Sequence, residues 1–200
     1  MKLYYSPGAC SLSPHIALCE SGLPFQTEKV DLKTKTTASG ADYNAINAKS
    51  YVPALLLDNG ELLTEGPAIV QYIGDLAPQS GIAPPNGTLE RVRLQEWLAF
   101  IGTEIHKGFS PLWRPAPEET KAAAIARLEH WFDWLEPQLG QHPYLLGARF
   151  SVADGYLFTV LNWTRFLKIS LERWPNLQAY LTRIASRPAV QAALKAEGLV

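Results

Sequence analysis

Apolar positions change their rhythm about two fifths of the way along this chain. Up to Leu76 they come in short bursts separated by turn residues; beyond Thr88 they recur every three or four positions. Leu3-Tyr4-Tyr5 predicts a strand, and Ser6-Pro7-Gly8 a turn. Leu12, Ile16 and Cys19 then take helical spacing, with Pro14 tolerated in the first turn and Gly22 and Pro24 as the stop. Gln26 to Leu32 predicts a second strand. Lys33 to Ser50 is polar and irregular, expected to be a solvated loop with at most a short helix around Ala41 to Ile46. Ala54 to Leu57 and Glu61 to Thr64 are strand runs joined by Asp58-Asn59-Gly60, a hairpin signal. Glu65-Gly66-Pro67 opens a helix with acid and proline where both are favoured, and Ala68, Ile69, Tyr72, Ile73 and Leu76 form its apolar face.

Ala77 to Thr88 holds Pro78, Gly81, Pro84, Pro85 and Gly87 and is a linker by composition. Everything after it has helical period. Leu94, Trp97, Leu98, Ile101 and Ile105 predict one face of a long helix, with Ala99, Thr103 and His106 on a second face. Pro111 to Pro117 breaks it. Glu118 to Leu139 predicts another helix, with Pro137 disturbing its last turn. Ser151-Val152-Ala153-Asp154 matches a capping box with Asp in the acidic position. The helix it opens, through Leu167, is apolar almost all round and is expected at the buried centre of the second domain. Leu177, Tyr180, Leu181 and Ile184 mark a helix beside Pro175, and Val190 to Leu194 a last short one. The pattern divides the chain into an α/β unit over residues 1–80 and an all-α unit over 88–200.

Composition narrows the class. Of 200 residues 47% are hydrophobic and 18% charged, ordinary for a globular protein. A net charge of −1 leaves no basic footprint for nucleic acid or a membrane surface. No secretory pattern precedes the first strand and no apolar run reaches spanning length, so a cytoplasmic protein is expected. The two cysteines, Cys10 and Cys19, are too few for a disulfide framework or a zinc site. Along an intact helix they lie on opposite faces, ~13 Å apart, which excludes a bond between them.

Cys10 is the first candidate for chemistry. It stands where a strand hands over to a helix, and helix-start N–H groups and dipole lower a thiol pKa. The alternative is a small hydrophobe near a helix start, and these residues alone leave both readings open.

The combination resembles the cytosolic glutathione transferases, most of all the bacterial beta class. The matching residues are Tyr5, Cys10 in Pro-Gly-Ala-Cys-Ser, Val52-Pro53, Glu65-Gly66, His106-Lys107-Gly108-Phe109 and the Ser151–Asp154 box. The resemblance implies a thioredoxin-like N-terminal domain followed by an all-helical domain. It also implies a homodimer, glutathione as co-substrate, and no other cofactor or metal. The backbone of Val52, before a proline held in cis, pairs with the cysteinyl amide of glutathione like an added strand. Gly66, at a helix N-terminus, suits the γ-glutamyl carboxylate, and Glu65 suits its ammonium. Lys35 is a candidate for the glycyl carboxylate, although by itself it is an ordinary loop lysine.

Cys10, Tyr5, His106 and Lys107 are the implied catalytic group. The His106 position faces the thiol cleft, where a neutral ring can hydrogen-bond a thiol or take its proton. Lys107 supports the thiolate electrostatically. Thr103 lies beside His106, and Glu104 reaches the partner subunit's glutathione. Phe109 and Trp113 wall the site for a hydrophobic electrophile, or are aromatic core. Ala99 stands where family members often carry Asn. The expected reaction is attack of the glutathione thiolate on carbon. Its rival is a glutaredoxin-like thiol–disulfide exchange at Cys10, whose Cys-Ser-Leu-Ser run is C-x-x-S and lacks a resolving cysteine. A non-catalytic interaction module is disfavoured by the presence of Cys10, Glu65 and His106.

Overall fold

A computed structural model describes all of residues 1–200. β1 (Lys2–Tyr5) is followed by α1 (Leu12–Ser21), β2 (Gln26–Asp31), β3 (Thr36–Thr37) and α2 (Tyr43–Ile46). β4 (Ala54–Leu56), β5 (Leu62–Thr64) and α3 (Gly66–Leu76) complete the N-terminal half. The sheet order is β3-β2-β1-β4-β5, with β1 and β2 parallel and every other pair antiparallel. Leu57 N donates to Glu61 O to close the expected hairpin, and Gly60 supplies its positive φ of 88°. The polar stretch after Leu32 is not all loop, since it contains β3. Thr36 and Thr37 are β-branched, and they pair with Asp31 and Val30 by folding the chain straight back.

The helical half runs α4 (Leu89–Phe100), α5 (Glu118–Gln141), α6 (Val152–Leu161), α7 (Trp163–Leu167), α8 (Pro175–Ala185) and α9 (Pro188–Ala196). Three departures from the predicted pattern matter. The long helix does not continue as α-helix to Ile105; it loosens into a π-helical turn over Ile101–His106. Thr103 Oγ1 donates to the Ala99 carbonyl at 3.1 Å, competing with the backbone for that acceptor at the loosened turn. Ala99, Thr103 and His106 therefore do not share one face: Thr103 is exposed and His106 turns inward, half-buried. The helix opened by Ser151 stops at Leu161 and restarts at Trp163, and Thr164 Oγ1 donates to the Leu161 carbonyl across the break at 2.7 Å. All ten residues of α6 are buried, as its apolar surround required, whereas Phe166 on α7 is exposed. α5 carries Pro137 inside it and runs past the expected Leu139 to Gln141.

The buried side chains form one large cluster that spans both halves, with α1 packed against α3, α6 and α9. Gly155 lets α6 approach α1: a Cβ there would stand 3.3 Å from Ile16 Cγ2. β1 alternates across the sheet, as a strand must. Leu3 and Tyr5 enter the large cluster, while Tyr4 joins Val30, Tyr43, Val52 and Ala54 on the other face. The buried carboxylate of Asp154 accepts from Ser151 N and Oγ, each at 2.8 Å, from Leu145 N at 2.8 Å and from Tyr180 Oη at 2.9 Å. The capping box thus also anchors the preceding loop and α8.

Candidate active site

Cys10 sits in the turn between β1 and α1. Gly8, at φ 69°, makes that turn possible, Ala9 N bonds back to Ser6 O at 3.0 Å, and Ser6 N donates to Ser11 Oγ at 3.1 Å. The half-buried Cys10 thiol donates to Val52 O at 3.3 Å. Burial pushes its pKa up to about 11, against the pull of the Cys10 and Ser11 backbone N–H groups; the Glu65 charge adds to the rise and Lys107 opposes it weakly. The expected lowering by the helix start is overturned. α1 begins only at Leu12, and desolvation of the thiol outweighs the backbone donors.

The Val52–Pro53 peptide is cis, and Val52 sits just ahead of the buried strand β4. Its N–H donates to no group of the chain. Glu65 follows β5 as the residue before α3, held at φ 68° with its carbonyl accepting Ala68 N and Ile69 N at 3.0 Å. Gly66 N, the first helical N–H, is free. The Glu65 carboxylate accepts from Lys49 Nζ at 2.6 Å and Tyr51 Oη at 2.8 Å, and these two hold its pKa below the usual range. Tyr43 Oη and Asn47 Nδ2 donate to the Tyr51 carbonyl at 3.1 and 2.8 Å, fixing the approach to Val52. Lys35 lies at the edge of this wall, its ammonium 2.7 Å from Ser50 O.

The helical half supplies the opposite wall. His106 Nδ1 lies 2.7 Å from Tyr156 Oη, and its ring meets that of Trp163 edge to face at 4.9 Å between centroids. Burial, with the Lys107 charge second, pushes the His106 pKa down to about 4, so the ring is neutral near pH 7. Phe109 and Trp113 pack on Trp163 at 5.5 and 5.8 Å. Trp113 is half exposed, but Phe109 is completely buried and presents no surface to a ligand, so its place is core.

Cys10, Val52, Glu65, Gly66, Tyr156, His106 and Lys107 thus share one neighbourhood, in which the charges of Glu65 and Lys107 both act on the Cys10 thiol. Of the expected residues, Tyr5 lies outside it, and Thr103 and Glu104 bond within the helical half. Tyr5 points into the large core, its ring 5.8 Å from His15, because strand alternation sends it to the face away from Val52. Thr103 bonds Ala99, and Glu104 pairs with Arg127 at 2.6 Å. Lys49, Tyr51, Tyr156 and Trp163 join the site without having been expected there. The last two carry a signal: they are the aromatic residues with a polar tip in a run of apolar ones. No three His, Cys, Asp or Glu side chains converge as a metal site would need.

Comparison with known proteins gives the family. Residues 8–76 match the family description "Glutathione S-transferase, N-terminal domain", and residues 100–188 match "Glutathione S-transferase, C-terminal domain". The chain is 49% identical to the glutathione S-transferase GstA of Escherichia coli O157:H7, over 100% of both chains. A sphingomonad glutathione S-transferase solved in complex with glutathione superposes with a TM-score of 0.96 at 50% identity, covering 100% of both. The beta-class glutathione S-transferase of Sphingomonas chungbukensis gives the same values.

Proposed function

The chain belongs to the glutathione S-transferase family, in its bacterial beta class, and from that premise we propose how its residues divide the work. It is a glutathione S-transferase and binds glutathione. In our reading the tripeptide lies along residues 1–80, with its cysteinyl amide paired to Val52 N–H as one more strand. Its γ-glutamyl carboxylate meets the free Gly66 N–H and its ammonium meets Glu65. Lys35 serves the glycyl carboxylate once it turns from Ser50 O.

The thiol then lies between Cys10 and the helical unit 88–200, beside His106 and Lys107. Lys107 supports the thiolate as a positive charge. The hydrophobic electrophile stands against Trp113 and Trp163, and the thiolate attacks its carbon. The single observation that carries this division is the pairing of an unsatisfied backbone edge at Val52 and Gly66 with a neutral, oriented His106 across the cleft. Conjugation of glutathione to an aryl halide tests it. His106→Ala should lower kcat while glutathione still binds, and an unchanged kcat would reject the role given to His106.

We further propose a homodimer in the cytoplasm. α3 and α4 are tied by the Arg91–Asp75 ion pair and by Gln95 Nε2 to Gln71 Oε1 at 3.1 Å, and they expose Tyr72, Leu76, Leu89 and Val92. An apolar strip of that kind suits a second copy, which would bring its glutathione within reach of Glu104. Both cysteines are free, in keeping with a reducing compartment, and no helix is long and apolar enough to cross a membrane. Light scattering that gave the mass of one chain at micromolar concentration would reject the dimer.

A further inference from the structure

The hydroxyl of Tyr156 has one hydrogen to give. Within the chain its one hydrogen-bond contact is Nδ1 of His106, at 2.7 Å. Tyr156 lies on α6, every residue of which is buried, and the π-helical turn runs close over it: a Cβ on Gly102 would stand 3.6 Å from Tyr156 Oη. With no other acceptor of the chain in reach, the hydrogen of this largely buried hydroxyl belongs on the bond to Nδ1. A ring nitrogen that accepts a hydrogen bond carries no hydrogen of its own, so in the neutral ring the hydrogen is on Nε2.

Resting on the reading that His106 faces the reacting sulfur, we propose that Tyr156 is a positioning residue that selects the Nε2–H tautomer of His106. The free edge of the ring is then a donor. His106 holds the glutathione thiolate by an N–H···S⁻ hydrogen bond and does not act as the base that removes the thiol proton. When the S–H bond breaks, the proton passes to solvent. The sulfur lone pair forms the new S–C bond, and the leaving group departs with the electron pair of its bond to carbon.

Other features fit. Burial, with the Glu65 charge adding to it, raises the Tyr156 phenol above its ordinary pKa and keeps its hydrogen in place. Lys107 disfavours an imidazolium next to it. The edge-to-face contact of the Trp163 ring, at 4.9 Å, restrains rotation of the imidazole about its own axis.

Long-range ¹H–¹⁵N correlation spectra of the ¹⁵N-histidine-labelled protein at pH 7 read the tautomer directly. Among four histidines, His106 is identified by the signals that His106→Ala removes. The Nε2–H pattern is expected in the wild type, with and without glutathione; an Nδ1–H pattern would overturn the proposal, and this readout needs no variant of Tyr156. Tyr156→Phe removes one oxygen. It should turn the His106 signals into a mixture of tautomers and lower kcat for an aryl chloride about threefold to tenfold, the size of one orienting hydrogen bond. Glutathione KM should stay unchanged. A Tyr156→Phe protein that kept both the pure Nε2–H pattern and full kcat would also overturn the proposal. If His106→Ala left kcat untouched while the spectra showed Nε2–H, the failure would lie in the placement of His106 at the sulfur, and the positioning role would fall with it.

Discussion

Trp163 donates its indole N–H to the carbonyl of Gly8 at 2.8 Å, joining residues 155 apart in sequence. The same glycine is held from its other side, where Gly8 N donates to Glu197 Oε2 at 2.9 Å, and the second oxygen of that carboxylate meets His15 Nδ1 at 2.9 Å. Both partners of Gly8 come from the helical half. The turn that presents Cys10 is thus not positioned by the sheet alone. Trp163 also packs edge to face with His106, so one indole spaces the two walls of the cleft.

Trp163→Phe keeps most of the ring packing and removes the N–H. It should cost about 1–2 kcal/mol of stability, as for a hydrogen bond whose partner carbonyl is left half-buried. The loss should also reach function, because the Gly8 turn is then free to drift relative to His106. Thermal unfolding and conjugation kinetics on one preparation check both. A lower Tm with unchanged kcat and KM would mean that Trp163 is only a structural tie.

Glu65→Ala removes the carboxylate proposed for the ammonium of glutathione, and binding should weaken by ~1–3 kcal/mol, as for a charged hydrogen bond. The variant also releases Lys49 and Tyr51, which now share Glu65 Oε1. Tyr51→Phe separates the two effects, since it leaves the carboxylate and removes one of its supports; its loss should be the smaller. Isothermal titration measures all three proteins. Equal affinities for wild type and Glu65→Ala would remove Glu65 from the site.

Much of this is legible in the sequence wherever one local rule decides the outcome. Asn59-Gly60 announces the hairpin, Glu65-Gly66-Pro67 the start of α3, and Ser151 with Asp154 the start of α6. What is not legible depends on competition between a side chain and the backbone, or on the third dimension. The hydroxyls of Thr103 and Thr164 each take a helix carbonyl, and nothing in the periodicity shows where a threonine will do so. His106 leaves its expected face where the helix loosens into a π-helical turn, and the helix opened by Ser151 breaks at Asn162. Tyr5 leaves the site for a simpler reason: strand alternation sends it opposite to Tyr4, and the apolar character of both hides which face is the site. The Cys10 thiol departs from expectation because the helix-start argument counts donors and leaves out the burial that only packing creates.

The pH dependence of His106 follows from its depressed pKa. The group titrates near 6.5 when unfolded and at about 4 when folded, so between these values the unfolded chain binds more protons. Stability from this residue is complete above about pH 6.5 and is lost as pH falls toward 4. Tm should therefore decline across that window, before the carboxylates held low, such as Glu28 at about 2, begin to matter. His106→Gln should flatten the decline between pH 6.5 and 4.5. Conjugation should show no loss attributable to His106 protonation between pH 5 and 8; an acid limb near 6.5 that vanished in His106→Gln would contradict the buried, neutral ring.

The final prediction separates the two thiol chemistries. Burial raises the Cys10 pKa to about 11, so in the protein without ligand Cys10 is a thiol that donates to Val52 O. Its alkylation by iodoacetamide should be slow at pH 7 and accelerate as pH rises toward 11, the opposite of a redox cysteine that reacts as thiolate at neutral pH. In conjugation the attacking sulfur belongs to glutathione, and Cys10 only shapes the place where it lies. Cys10→Ala should then keep measurable conjugation to an aryl halide, within about tenfold of wild type for the loss of one neighbouring hydrogen-bonding group. Any exchange with a small disulfide that the wild type performs through Cys10 as nucleophile should disappear in the same variant. Both assays belong on the same preparations with glutathione saturating. Complete loss of conjugation in a folded Cys10→Ala protein that still bound glutathione would show Cys10 to be essential to both chemistries, and would place a thiolate at Cys10 in the bound state where the ligand-free protein holds a thiol.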